Sequence, residues 1–263
     1  MKIGYIQNSP IFGEKQKNLN SIDELLTGVK SDLIVLPELF ATGYTFTSVE
    51  EVESLSEEAE GETSRFLCQK SLDTGAIIIA GFIEREGHNY YNSSFLVFDG
   101  KITGIYRKLH LFYKEKLFFT PGNYPLRVYE IKDFKIGMMI CFDWIFPEVS
   151  RVLALKGAQL IAHPSNLVMP YCQQAMRTRC LENKVFAVTA NRAGIEKRGD
   201  DKFIFTGGSQ ITSCNGEILS SAPQDSQYVD FVTIDLNQAD NKFINPYNDV
   251  LHDRRPEFYE QLV

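Results

Sequence analysis

Short apolar runs with strand character recur along this chain, and stretches of helical periodicity lie between several of them. "KIGYIQ" reads as a buried strand, and the segment from Glu14 to Lys30 places Leu19, Ile22, Leu25, Leu26 and Val29 on one helical face before the next strand, "DLIVLPE". The pattern then repeats. A helical region through "GETSRFLCQKSLDTG" leads to the strand "AIIIAGFIER", and "PEVSRVLALKG", opened by Pro147 and closed by Gly157, leads to "AQLIAHP". "CQQAMRTRCLENK" is a further helix, followed by the strand "VFAVTANR". Such alternation covers a sheet with helices and implies layered α/β packing. Other strands add antiparallel character: the pair "NSSFLVFDG" and "KITGIYRK" around Asp99-Gly100, then "PLRVYEI", "FKIGMMIC", the Gly-rich "FTGGSQITSCNGEI" and "YVDFVTIDL". Mixed rather than all-parallel sheets are therefore expected. No linker, repeat or low-complexity tract interrupts the 263 residues, and one domain over 1–263 is the economical reading.

Composition narrows the partners. A formal net charge of -7 with scattered Lys and Arg argues against nucleic acid or an anionic membrane as a partner, because phosphate binding needs clustered positive charge. Gln7 and Asn8 break the apolar start, so it does not read as a signal peptide. The longest apolar run, Ala76 to Ile83, is far shorter than the roughly 20 residues of a membrane helix. A cytoplasmic protein is expected. The five cysteines, Cys68, Cys141, Cys172, Cys180 and Cys214, are widely spaced without a CxxC pair and read as reduced thiols. The four histidines, His88, His110, His163 and His252, show no zinc spacing, so no metal is expected.

A strand buried on both faces delivers the residues after it to the rim of the sheet, where α/β proteins bind ligands. Three such ends carry chemically useful groups: Glu38 after "LIVLP", Lys108 after "ITGIYR" and Cys141 after "IGMMI". Taken singly, each has a plainer explanation. A cysteine closing an apolar run packs as a small hydrophobe, and a lone Glu or Lys is commonly a solvated charge. Taken together, in the contexts "LPELFATGY", "YRKLHLF" and "CFDWIFPE", they resemble the Glu-Lys-Cys signatures of the nitrilase superfamily of carbon-nitrogen hydrolases. "PGNYPLRVY", "ALKGAQLIAHPSN" and "RRPEFY" fit the segments between and after them, so the resemblance spans nearly the whole chain.

That resemblance implies a four-layer α-β-β-α sandwich with two mixed sheets, paired into an αββα-αββα homodimer. The tail from about residue 245 to 263, with Phe258, Tyr259 and Leu262 in "DRRPEFYEQL", would help join the subunits. It also implies a cofactor-free mechanism in which Glu38 is the proton acceptor, Cys141 the nucleophile, and Lys108 with the Phe142 backbone N–H the oxyanion donors. Glu115 in "YKEKLFFTPG" matches a further active-site glutamate, and Trp144 and Asn166 are candidates for the pocket wall. The expected activity is hydrolysis of a small linear amide or carbamoyl compound through a Cys141 thioester, with release of ammonia. An aliphatic nitrilase would use the same triad, but true nitrilases typically carry Trp-Glu after the nucleophile, where this chain has Phe142 and Asp143. An acyltransferase would pass the same thioester to an amine. A catalytically silent interaction protein would keep the fold but have no use for a strand-end thiol beside Glu38 and Lys108. A nicotinamide-binding enzyme would need a GXGXXG turn, and none stands after the first strand.

Overall fold

The structure, a computed structural model, describes residues 1–262; Val263, the last residue of the expected domain, and the Leu262 side chain lie outside the described residues. In chain order the elements begin β1 (Lys2–Gln7), α1 (Lys15–Leu26), β2 (Leu33–Val35), α2 (Val49–Leu55), α3 (Glu62–Thr74), β3 (Ile77–Glu86), β4 (Asn89–Phe98) and β5 (Lys101–Arg107). There follow α4 (Glu115–Phe118), β6 (Val128–Ile131), β7 (Phe134–Met138), α5 (Pro147–Leu155), β8 (Leu160–Ser165), α6 (Cys172–Asn183) and β9 (Phe186–Asn191). A hairpin of β10 (Ala193–Arg198) and β11 (Asp201–Thr206) precedes β12 (Gln210–Thr212), β13 (Ile218–Ser221) and β14 (Tyr228–Thr233).

Period-two alternation sorts the strand residues into two cores. In β2, Leu33 and Val35 join one cluster while Ile34 joins the other, and in β3 Ile77 and Ile79 separate in the same way from Ile78 and Ala80. One core lies under α1 and α3 through Leu19, Ile22, Leu26 and Leu67. The other fills the space between two sheets and continues to α5 and α6 through Leu153, Met176 and Cys180. Burial on both faces explains why these strands read as unbroken apolar runs, each fully buried Leu or Ile contributing about 1.5–3 kcal/mol.

The sheets have the strand orders β14-β1-β2-β3-β4-β5 and β13-β12-β9-β8-β7-β6. At the centre of each, three strands run parallel, β1-β2-β3 in one and β7-β8-β9 in the other. The flanking strands are antiparallel. The result is the mixed-sheet α-β-β-α sandwich that the resemblance implied. Because β4 is antiparallel to both β3 and β5, β5 ends at the same rim as β3. No helix among the described residues is long and apolar enough to cross a membrane.

Two elements lacked a sequence signal. In α2 only Val52 is buried, so the apolar stripe that marks a helix is missing, although Ser48 caps it by accepting the Glu51 N–H. The β10–β11 hairpin turns Ile195 and Ile204 outward while Phe205 is buried, so apolar residues lie on both of its faces and the polar-apolar alternation of a half-buried strand is missing from its sequence.

Candidate active site

Glu38 stands three residues beyond β2, and the chain there passes so close to β3 that a Cβ on Gly81 would lie 2.6 Å from the Glu38 Cα. Only glycine fits at that approach. Lys108 follows β5 directly, and a Cβ on Gly122 would come within 2.2 Å of the Arg107 carbonyl oxygen. Both side chains are wholly inaccessible, at 0% exposure, which removes the explanation of solvated charges. Lys108 Nζ donates to Glu38 Oε1 and to Glu115 Oε1, each at 2.7 Å.

Each carboxylate is held by further donors. Asn92 donates from Nδ2 to Glu38 Oε1 at 2.6 Å, and its own carbonyl accepts the Lys108 N–H at 2.8 Å. Glu115 accepts the Tyr44 hydroxyl at 2.6 Å and the Phe112 N–H at 3.0 Å. Tyr44 is fixed in turn by Glu196, whose Oε1 accepts the N–H groups of Tyr44 and Thr45 and whose Oε2 pairs with Arg192. One oxygen stays free: Glu38 Oε2 is buried with no hydrogen-bond partner among the described residues.

Cys141 opens a 3-10 turn, Cys141–Ile145, beyond β7. Its φ of +43° lies in the left-handed region that side chains other than glycine avoid, and Leu39 beside Glu38 has a φ of +48°. Asp143 ties the turn to the Lys108 segment. Its Oδ2 accepts the Ile140 N–H at 2.9 Å and the Tyr106 hydroxyl at 2.7 Å, while its Oδ1 accepts the His110 N–H at 3.1 Å and lies 2.8 Å from His110 Nδ1. Below the turn, His163 of β8 has Nε2 2.9 Å from the Cys141 carbonyl oxygen.

Two carboxylates and one ammonium act on the Cys141 thiol. Burial pushes the Cys141 thiol well above its ordinary range, Glu38 and Glu115 push the same way, and Lys108 and the Asn166 backbone oppose them. Burial alone would lower the Lys108 ammonium, but Glu115 and Glu38 reverse that and raise it. Burial also raises the Glu115 carboxyl, against the pull of Lys108. Burial and the neighbouring carboxylates thus favour the protonated thiol of Cys141.

Cys141 opens onto a cleft of about 240 Å³, part of it open solvent, lined by Phe112, Phe142, Trp144, Asn166, Leu167, Val168 and Met169. Trp144 and Asn166 therefore share the pocket with Cys141, as does the Phe142 side chain. Both side-chain polar atoms of Asn166 are buried without a partner. No three His, Cys, Asp or Glu side chains among the described residues are grouped to hold a metal ion.

The model of the carbon-nitrogen hydrolase family matches residues 2–241. The chain belongs to the carbon-nitrogen hydrolase family. It is 47% identical to the nitrilase of Pyrococcus abyssi over 98% of this chain and 99% of that protein. It is 33% identical to an (R)-stereoselective amidase of a Pseudomonas species over 97% of this chain and 92% of that one. The crystal structure of a carbon-nitrogen hydrolase from Helicobacter pylori matches the fold with a TM-score of 0.90 at 27% identity, covering 100% of this chain and 98% of its own. As a carbon-nitrogen hydrolase, the chain is an enzyme that acts on carbon-nitrogen bonds other than peptide bonds.

The sequence reading did not single out Tyr44, Asn92, Asp143 or His163. Tyr44 lies inside the quoted "LPELFATGY", Asn92 begins the quoted "NSSFLVFDG" and Asp143 stands two residues after Cys141, so sequence proximity was the available signal. His163 lies inside the quoted "ALKGAQLIAHPSN", but its contact with the Cys141 carbonyl was not legible there, because Cys141 and Thr189 lie on other segments.

Proposed function

We propose that this hydrolase cleaves a small, linear, uncharged amide or carbamoyl compound, with Cys141 as nucleophile and Glu38 as general base and acid. The observation that carries the reading is the unpartnered Glu38 Oε2, a buried acceptor left free beside a fully bonded Oε1. A purely structural carboxylate would have both oxygens engaged. In the first step Sγ bonds to the carbonyl carbon, its proton passes to Glu38, and the carbonyl π pair moves to oxygen. An ammonium has three donors. Two of those on Lys108 serve Glu38 and Glu115, which leaves the third for the oxyanion beside the Phe142 N–H. Glu38 then returns the proton to nitrogen, the C–N bond breaks and ammonia leaves. Water gives a proton to Glu38, adds to the thioester carbon and displaces the thiol, yielding the acid. Glu115 orients Lys108 and takes no proton in this scheme.

The uncharged substrate is argued from the cleft. Its apolar walls offer no ionic partner, so burying a charged chain there would be costly, whereas the free Asn166 amide suits a neutral polar group. The nitrile reading is favoured by one observation, the 47% identity to the Pyrococcus abyssi nitrilase, and the same triad would carry thiolate addition to a nitrile carbon. Ammonia release from paired substrates, such as butyramide and butyronitrile, separates the two. Higher kcat/KM on the amides supports the first reading, and higher values on the nitriles reverse it.

A homodimer joined through the C-terminal tail is part of the same proposal. Phe258 is 70% exposed on a single subunit, and Tyr247 is 89% exposed, which suits apolar groups awaiting a partner. Light scattering of a chain ending at Leu251 tests it, since an unchanged dimer removes the tail from the interface. Cysteines without a disulfide among them support a cytoplasmic location.

A further inference from the structure

The mechanism above assigns nothing to His163, yet this ring is wholly buried directly under the nucleophile turn. Its Nε2 lies 2.9 Å from the Cys141 carbonyl oxygen, and its Nδ1 lies 3.1 Å from the hydroxyl of Thr189, its register partner on β9. A carbonyl oxygen can only accept, so Nε2 carries the proton and Nδ1 accepts from Thr189. Ser165 Oγ, 3.0 Å from Nε2, is a second acceptor for the same N–H. The ring is neutral at pH 7, since burial drives its pKa down to about 4 while the Cys141 carbonyl only partly opposes this.

The carbonyl that His163 grips belongs to the peptide unit joining Cys141 to Phe142. In a trans peptide the C=O and N–H of one unit point in opposite directions within one plane, so fixing the oxygen fixes the direction of the Phe142 N–H. That N–H has no acceptor among the described residues, which leaves it available to a ligand. The left-handed Cys141 backbone needs such a restraint, because a non-glycine residue keeps a positive φ only where its surroundings impose it. Accepting a bond at the carbonyl also polarises the peptide and strengthens its N–H as a donor.

We infer that His163 is a positioning residue of this site: by donating Nε2–H to the Cys141 carbonyl it locks the Cys141–Phe142 peptide so that the Phe142 N–H faces the developing oxyanion. The inference rests on Cys141 being the nucleophile, and Thr189 acts through it by fixing the imidazole tautomer.

Two amide substitutions test it without stripping the buried pocket of polar partners. His163→Gln carries a donor out to about the place of Nε2, whereas His163→Asn reaches only the place of Nδ1, keeping Thr189 and losing the Cys141 carbonyl. Turnover of an amide substrate should fall about 100-fold or more in the Asn variant, the usual effect of losing an oxyanion donor, and be largely restored in the Gln variant. Alkylation of Cys141 by iodoacetamide displaces iodide at a saturated carbon and forms no oxyanion, so its rate should stay at the wild-type value in both. Matching kcat values in the two variants would overturn the inference. So would alkylation falling in step with kcat, which would make His163 a support for the thiol or the fold. Wild-type enzyme that keeps its turnover after Cys141 is alkylated would instead sink the underlying nucleophile reading.

Discussion

Arg107 and Lys108 are consecutive buried cations at the end of one strand, directed to opposite faces, and each meets two carboxylates. Arg107 is saturated. It bonds both oxygens of Glu84, reaches Glu86 and Asn123, and lies between the rings of Tyr91 at 3.9 Å and Tyr124 at 4.2 Å. Glu84 gains a third donor from the Ser93 hydroxyl. Around Lys108 the pairing stops short, since Glu38 Oε2 and Asn92 Oδ1 have no partner among the described residues. Arginine with its rigid fork suits the closed network, and lysine, with a spare donor, suits a site that must admit a third party. The same burial and the same charge types therefore give a closed clamp on one face and an incompletely bonded cluster on the other, and the difference lies in what is left unbonded.

The contrast is sharpest in two substitutions. Glu38→Gln keeps an oxygen to accept from Lys108 and Asn92 but cannot take a proton, so kcat should fall by roughly 100- to 10,000-fold or more while the melting temperature stays near wild type. Arg107→Met should do the reverse. It leaves Glu84 buried without its cation, at a cost of about 3–5 kcal/mol in denaturant unfolding, with kcat per folded molecule close to wild type. Swapped outcomes would mean that the closed network and the open one had been assigned the wrong way round. A smaller pair refines this. Removing the hydroxyl with Tyr44→Phe takes a bond worth about 1.5–3 kcal/mol from Glu115, so kcat should fall roughly tenfold or more. Tyr124→Leu removes a ring from Arg107, should lower stability by about 0.5–1 kcal/mol, and should leave kcat alone. A Tyr44→Phe enzyme with unchanged kcat would place Glu115 outside the reaction.

Legibility in the sequence divides along the same line. Glu38 and Cys141 were legible because each comes after an apolar run, the trace of a strand buried on both faces, whereas Lys108 follows the mixed stretch "ITGIYR" on a half-exposed strand and was legible only with the motif around it. The helix at Cys172–Asn183 and the strand at Phe186–Asn191 were readable almost to the residue for the same reason, their signal being local. The saturation of Arg107 and the free oxygen of Glu38 were not legible, because both depend on partners apart in the chain, such as Glu84 with Arg107 across 23 positions and Asn92 with Glu38 across 54. The β10–β11 hairpin escaped because its isoleucines face outward.

Ammonia release by Cys141→Ala, set beside wild type on a short uncharged amide, tests the central claim most directly. The account predicts no turnover above background from a variant that melts like wild type, because the buried thiol beside the open carboxylate is the atom that attacks. Turnover at the wild-type rate in Cys141→Ala would contradict it and return the Lys108 cluster to the same standing as its saturated neighbour.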